Sequence, residues 1–512
     1  MELNSIIRRL KRSALNSVSE NEIASNDTNL QGMGMPVTDE ALPCTFESEI
    51  KWFESGNELL YQGMNEQAVD FYRMAAFNFN GLPGALGTLA FCYEFGLGVE
   101  QSFSEAESLY SQGGEKGDGL SCARMAFLRK YGRPGIKIDR LEAEVWSKRI
   151  ADNPNALDWL RQAADTHKLP TALYAFGVCW HDGVGVIQDA KKAVKYYEMA
   201  KDLNEPRGTG ILGYCYGEGF GVRKNELLAF KYYLIAANKG ESVSMYNVAH
   251  CYEDGLGVDQ NMKEAISWYR LAADHGNCYA ENALGYIYEE GIGIARNIKI
   301  AASWYEKSAI QGYPWAQCNF GFCLQNGIGV PKNEILGTYW YQKAAIQGHS
   351  RAQHNLGHAF QYGIGIEKDE PMSIKWYKRS ATAGNAFALH SLGYCYQYGI
   401  GTDKDDVLAY EMYKESAKMG HAPAQLSLGC CYRNAVGTAR NEKKAFEWIA
   451  KAADGGNDLA QNTLGHLYED GIGCSRDLKQ AAHWYNLGAK QGNCWYRLFF
   501  IQGTNKFSND VR

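Results

Sequence analysis

The chain has 512 residues, 46% of them hydrophobic and 21% charged, with a net charge of -6 and an isoelectric point near 6.1. This composition is ordinary for a soluble folded protein, and no run of about 18 apolar residues is present to span a bilayer. The acidic balance excludes wholesale nucleic-acid binding, which draws on a basic face to neutralise phosphates.

Residues 1–46 mix Asn, Ser, Gly and Thr without helical periodicity, and Pro36 and Pro43 punctuate their end. They read as a disordered arm. Within it Arg8, Arg9, Lys11 and Arg12 alternate with Ile6, Ile7 and Leu10, a basic amphipathic pattern. The expectation is a solvated basic arm, with peripheral membrane recruitment as the alternative. Residues 1–10 hold no apolar stretch of secretory length, so the expected location is cytoplasmic.

Residues 47–81 predict two capping helices, over 52–62 and Asn65–Phe77, with Gly56, Leu59, Ala68, Tyr72 and Ala75 spaced as in a tetratricopeptide repeat. A repeat array then runs over 82–492. Ala90 and Ala126 stand 36 residues apart, but Gly177 follows Ala126 by 51. The excess predicts an irregular insertion at about 139–155, read as an extra helix or lid because 141–150 has a helical pattern that Asn153 and Pro154 break. The second helix of that unit is expected late, over 159–165.

From Gly177 onward the register is strict. An anchor glycine recurs every 36 residues at Gly177, Gly213, Gly285, Gly321, Gly357, Gly393, Gly429 and Gly465, with Ala249 filling the gap. A period of this length implies a solenoid of stacked two-helix units. In the first helix Ala280, Leu284 and Tyr288 recur one turn apart, which defines a packing face. A glycine beside that face costs about 1 kcal/mol of helix propensity and is tolerable where another helix approaches closely. Asn297 and its equivalents are all Asn or Asp and predict the N-cap of the second helix. That helix carries Trp304 and Tyr305 and closes at Gly312, with Asn204 replacing glycine in one copy. The fold class is therefore all-α, a solenoid of about eleven two-helix repeats. Residues 493–502 predict a C-terminal capping helix, and 503–512 a polar tail without a prenylation box.

The phrase formed by Leu284, Gly285, Tyr288, Gly291 and Gly293, followed by Asn297, Ala301, Trp304, Tyr305 and Ala309, resembles the Sel-one-like repeat family, close kin of the tetratricopeptide repeats. The resemblance covers 82–492. It implies a right-handed α/α superhelix that scaffolds protein complexes, as in endoplasmic-reticulum degradation adaptors, chitin-synthase activators, cell-division regulators and bacterial envelope proteins. From these residues no signal peptide or prenylation box of the kind that marks several of those branches is expected, and most repeats carry one cysteine where the cysteine-rich relatives carry a pair. The expected function is thus a non-enzymatic cytoplasmic scaffold or adaptor for a protein or peptide partner. The alternatives are a regulatory subunit that recruits or activates a membrane-associated complex, and a β-lactamase-like hydrolase resembling the cysteine-rich relatives.

No catalytic, cofactor or metal residue is assigned. Glycine-rich phrases such as Gly217, Gly219 and Gly221 follow helices instead of strands and lack the phosphate-binding lysine. His354 and His358, four apart, have the spacing of a metal pair but no third ligand supplied by sequence. Cys92, Cys179, Cys215, Cys251, Cys323, Cys395 and Cys431 share one register and read as small buried apolar residues. The acid pairs Glu253 and Asp254, Glu289 and Glu290, and Glu469 and Asp470 end first helices, against the helix dipole, and read either as solvated helix ends or as contacts for a basic partner. One residue after the anchor come Tyr214, His250, Tyr286, Phe322, His358, Tyr394 and His466, with Val178 and Cys430 in the other copies. By analogy with related solenoids they are the candidate partner-binding stripe of a groove; the competing expectation is packing between neighbouring first helices.

Overall fold

A computed structural model describes residues 46–78, 81–133, 136, 139–151 and 155–490. The N-terminal arm, apart from Phe46, and the cap and tail expected over 493–512 lie outside these. Among the described residues there are 25 helices and no strand beyond an isolated bridge between Arg133 and Ile136. Consecutive helices form antiparallel hairpins, beginning with Phe46–Tyr61 and Asn65–Phe77, and all but the hairpin that ends at Ala151 pack on the next through their second helix. The hairpins starting at Pro83, Gly119, Pro170 and every 36 residues from there make up the all-α solenoid.

The hairpin Cys278–Glu290 with Ile298–Ile310 shows why the sequence takes this form. Asn277 accepts from the Ala280 N–H at 2.9 Å to start the first helix. Gly291, at φ +75°, closes it with its N–H on the Ile287 carbonyl. Asn297 then accepts from the Lys299 and Ile300 N–H groups, at 3.2 and 3.1 Å, and opens the second helix.

Gly285 explains itself at the packing level. A Cβ there would sit 2.6 Å from the ring of Tyr305, so the fully buried tyrosine lies flat against bare backbone. Its hydroxyl passes beyond the glycine and donates to Glu289 Oε2 at 2.6 Å. The same trio recurs as Gly357, Tyr377 and Gln361, as Gly393, Tyr413 and Gln397, and as Gly465, Tyr485 and Glu469. Burying an unpaired hydroxyl costs about 1–3 kcal/mol, which is why the turn before Gly291 carries an acid or amide.

Joints between repeats are tied as well. Gln317, Gln353 and Gln461 each donate to the carbonyl of an alanine in the preceding second helix, Ala309, Ala345 and Ala453. Each of these carbonyls also accepts the N–H of the glycine that closes its own helix, Gly312, Gly348 and Gly456, so the glutamine is a second donor that ties one repeat to the next.

The irregular stretch is arranged differently from the expectation. Helix Arg140–Ala151, within the 139–155 segment expected to be inserted, is the hairpin partner of Gly119–Tyr131. Trp146 follows Ala126 by 20 residues, the spacing of Tyr305 after Gly285, and is buried against Gly114. The extra element is the eight-residue helix Asp158–Asp165, which packs on Pro170–Asp182 and has no hairpin partner of its own. Its Trp159 indole donates to Asn57 Oδ1 at 2.9 Å and meets the ring of Phe91, while His167 stacks on Tyr61 at 3.6 Å. The sequence pattern resembled a late second helix because Leu160, Ala163 and Ala164 are buried just as second-helix residues are. What decides the role is which helix faces Gly119–Tyr131, a contact the local pattern does not encode.

Candidate interaction surface and interior cleft

The stripe residues follow a buried glycine yet turn outward. Tyr286 is 51% exposed, Tyr214 44%, Tyr394 42% and Phe322 39%. His358 is exposed too, whereas His250 and His466 are half-buried. His250 Nδ1 lies 3.5 Å from Asp254, and His466 Nδ1 lies 2.9 Å from the Tyr485 hydroxyl. One turn further along, Tyr362 meets His358 at 4.6 Å between ring centroids and Tyr398 meets Tyr394 at 4.7 Å. In earlier repeats that second position is acidic, as Glu218, Asp254 and Glu290.

Beside this surface, burial pushes the imidazoles of His349, His354 and His390 down to about 4 and lowers those of His358 and His421. The set is neutral at pH 7. His354 Nε2 pairs with Ser391 Oγ and His390 Nε2 with Ser427 Oγ, both at 3.1 Å. Among the described residues no three His, Cys, Asp or Glu side chains converge in a way that would hold a metal ion.

The acid pairs divide: Asp254, Glu290 and Asp470 are exposed at the helix end, as one of the two sequence readings has them, while their neighbours are not. Glu253, Glu289 and Glu469 turn inward and accept the hydroxyl protons of Tyr269, Tyr305 and Tyr485. These three are internal acceptors. The cysteines of the common register are free and buried, and burial pushes the thiols of Cys92, Cys179 and Cys395 up to about 12.

A second feature had no counterpart in the sequence reading. A cleft of about 910 Å³ is lined by Phe95, Tyr131, Arg133, Ile136, Tyr174, Tyr279 and others, and beside it the Tyr279 hydroxyl donates to the Tyr131 carbonyl at 3.3 Å. Five polar atoms of its wall are buried and unpartnered among the described residues: Thr171 Oγ1, His181 Nδ1, Tyr197 Oη, Ser244 Oγ and Gln311 Oε1. Tyr197 is the equivalent of Tyr305, but the acceptor position holds His181, which is stacked on Phe220 at 4.0 Å. Arg133 and Arg207 also line the cleft, their guanidinium groups resting on Phe127 and Phe95 at 4.7 and 4.6 Å. Burial raises the nearby Glu205 carboxyl, and Arg207 opposes that shift. In sequence the acceptor register breaks at His181, as it also does at Gly217 and Arg433.

Antiparallel helix pairs, stacked in one direction and closed by left-handed residues, define the tetratricopeptide-like class of α-solenoids. Within it the chain belongs to the Sel1 repeat family, whose pattern matches twelve segments from 85–118 through 458–493, including 119–155 and 148–165 across the irregular stretch. Among solved structures it is similar to a protective antigen of uropathogenic Escherichia coli with an SLR fold, at 28% identity, 87% of this chain, 91% of that one and a TM-score of 0.57. A Sel1 repeat protein from Oxalobacter formigenes matches at 33% identity over 43% of this chain and 92% of its own, with a TM-score of 0.41. No curated protein matches the chain. Sel1 repeat proteins are generally non-catalytic scaffolds for protein interactions. Among the described residues no helix is long and apolar enough to cross a membrane.

Proposed function

We propose that this protein is a non-enzymatic cytoplasmic scaffold that holds a partner protein along the first-helix face, through Tyr214, His250, Tyr286, Phe322, His358, Tyr394 and His466. One observation carries the reading: the residue after the buried anchor is a ring in all copies but those of Val178 and Cys430, and most of those rings are exposed although the hairpin core is complete without them. Rigid aromatics with polar tips offer contact area at low entropic cost, which is why they dominate binding hot spots.

Proximity labelling in the native cell would identify the partner. Replacing Tyr286, His358 and Tyr394 together by alanine is expected to cut its recovery about tenfold or more while leaving the melting temperature nearly unchanged. A large fall in melting temperature with recovery intact would assign the stripe to packing instead.

A further inference from the structure

We propose that the outward face of helix Glu334–Ile346, together with the second helices on either side of it, docks on an anionic lipid bilayer. This role is independent of what the first-helix stripe holds.

The face departs from what the repeat carries elsewhere. Ile335, Tyr339, Gln342 and Ile346 follow one another at steps of four, three and four residues, which sets them on one side of the helix. Tyr341, Ala344 and Ala345 of the same helix are buried in the array. In the preceding second helix, Ile298–Ile310, the four outward places hold Lys299, Ser303, Glu306 and Ile310. In the following one, Glu370–Thr382, they hold Pro371, Lys375, Lys378 and Thr382. Neighbouring hairpins thus fold with lysine, proline or threonine where Ile335 and Ile346 stand, so packing does not require these isoleucines. Ile335 and Ile346 are 67% exposed, and Ile310, one repeat before Ile346, is 69% exposed. Side chains this exposed protrude, and a fluid bilayer takes up a protruding side chain without a matching socket.

The charges identify the occupant. The three helices carry Lys299, Lys307, Lys343, Lys375, Lys378 and Arg379 against Glu306, Glu334 and Glu370, in a chain whose net charge is -6. Two of the acids are already neutralised: Glu334 pairs with Lys332 and Glu370 with Lys368, both at 2.7 Å. Each helix also lays one cation on an aromatic ring, Lys307 on Trp304 at 4.1 Å, Lys343 on Tyr339 at 5.2 Å and Arg379 on Trp376 at 4.7 Å. Aliphatic side chains that enter the acyl boundary, rings at headgroup level and lysines that extend to the phosphates are the means by which a surface helix binds a charged bilayer. A protein partner fits this face less well, because lysine is depleted from protein interfaces.

The test floats the full chain on density gradients with vesicles of phosphatidylcholine, alone or with about 30% phosphatidylserine. Recovery is expected to be about tenfold higher on the anionic vesicles and to fall as salt rises. Ile335→Ser with Ile346→Ser should cut anionic recovery about tenfold or more. Lys375→Glu with Lys378→Glu should cut it by a similar factor. All four side chains are exposed, so both variants should keep the melting temperature of the unaltered chain. A full chain with Arg8, Arg9, Lys11 and Arg12 replaced by glutamine should still float, which separates this face from the basic arm. Equal recovery on the two vesicle types, or anionic recovery unchanged in either face variant, overturns the proposal. So does a dimer in sedimentation velocity that Ile335→Ser with Ile346→Ser dissolves, since a second copy would then cover the face.

Discussion

Two hairpins of the same array solve the same problem with different success. In Cys278–Glu290 with Ile298–Ile310, Tyr305 reaches Glu289, Ser308 donates to the Cys278 carbonyl and Asn297 caps the second helix. In Pro170–Asp182 with Ala190–Asp202, Asp189 still caps, but Tyr197 finds no acceptor and His181 has turned to Phe220. The first sits in the middle of strict repetition; the second follows the extra helix Asp158–Asp165, and its Asp182 accepts from Lys130 and Tyr131. Strict repeats also leave Gln325 Nε2, Trp340 Nε1, Gln347 Oε1 and Gln353 Oε1 without partners among the described residues, so what separates these two hairpins is the acceptor that Tyr305 has and Tyr197 lacks.

The sharpest way to break this comparison is at the buried ion pair before the irregular stretch. Arg124 Nε donates to Glu94 at 2.9 Å, with a second contact through Nη2, and Tyr110 donates to the same carboxylate. Burial works to raise the Glu94 carboxyl, and Arg124 overcomes it, holding that carboxyl below its ordinary range. Arg124→Met strands the carboxylate and should cost about 3–5 kcal/mol in urea unfolding. A loss below about 1 kcal/mol would mean that water reaches the pair.

Tyrosine hydroxyls give the next, smaller effect. Tyr305→Phe should cost about 1.5–3 kcal/mol, since it removes a buried hydrogen bond to an acid, whereas Tyr197→Phe, which removes a buried hydroxyl without a partner among the described residues, should raise stability by about 1–3 kcal/mol. Equal losses in unfolding experiments would erase the distinction between the hairpins. The smallest effect belongs to the closing residues. Ala435 holds φ +58° where Gly291 and its equivalents stand, so Ala435→Gly should raise stability by about 1 kcal/mol, read as a higher urea midpoint.

The period, the caps and the closures were legible because each depends on residues within one or two turns. Asn297 and Gly291 announce themselves by type, and Asn204 takes φ +64° in place of glycine as its chemistry allows. Lys168 and Ala435 do the same at φ +52° and +58° without any such signal, because the surrounding packing imposes the conformation. The inward turn of Glu289, the pairing of Arg140–Ala151 and the cleft were not legible. They rest on contacts between residues 16 to 148 positions apart, such as Tyr305 with Glu289 and Tyr279 with Tyr131. The stripe lies between these cases: its register could be read from sequence, its exposure only from the packed array.

The buried thiols give the array an internal clock. Cys92, Cys179, Cys215, Cys251, Cys323, Cys395 and Cys431 sit one to a repeat, shielded and held protonated well past neutral pH. An alkylating reagent meets a thiolate only when that repeat swings open, so the order in which the seven sites are marked records the order in which the solenoid breathes along its length.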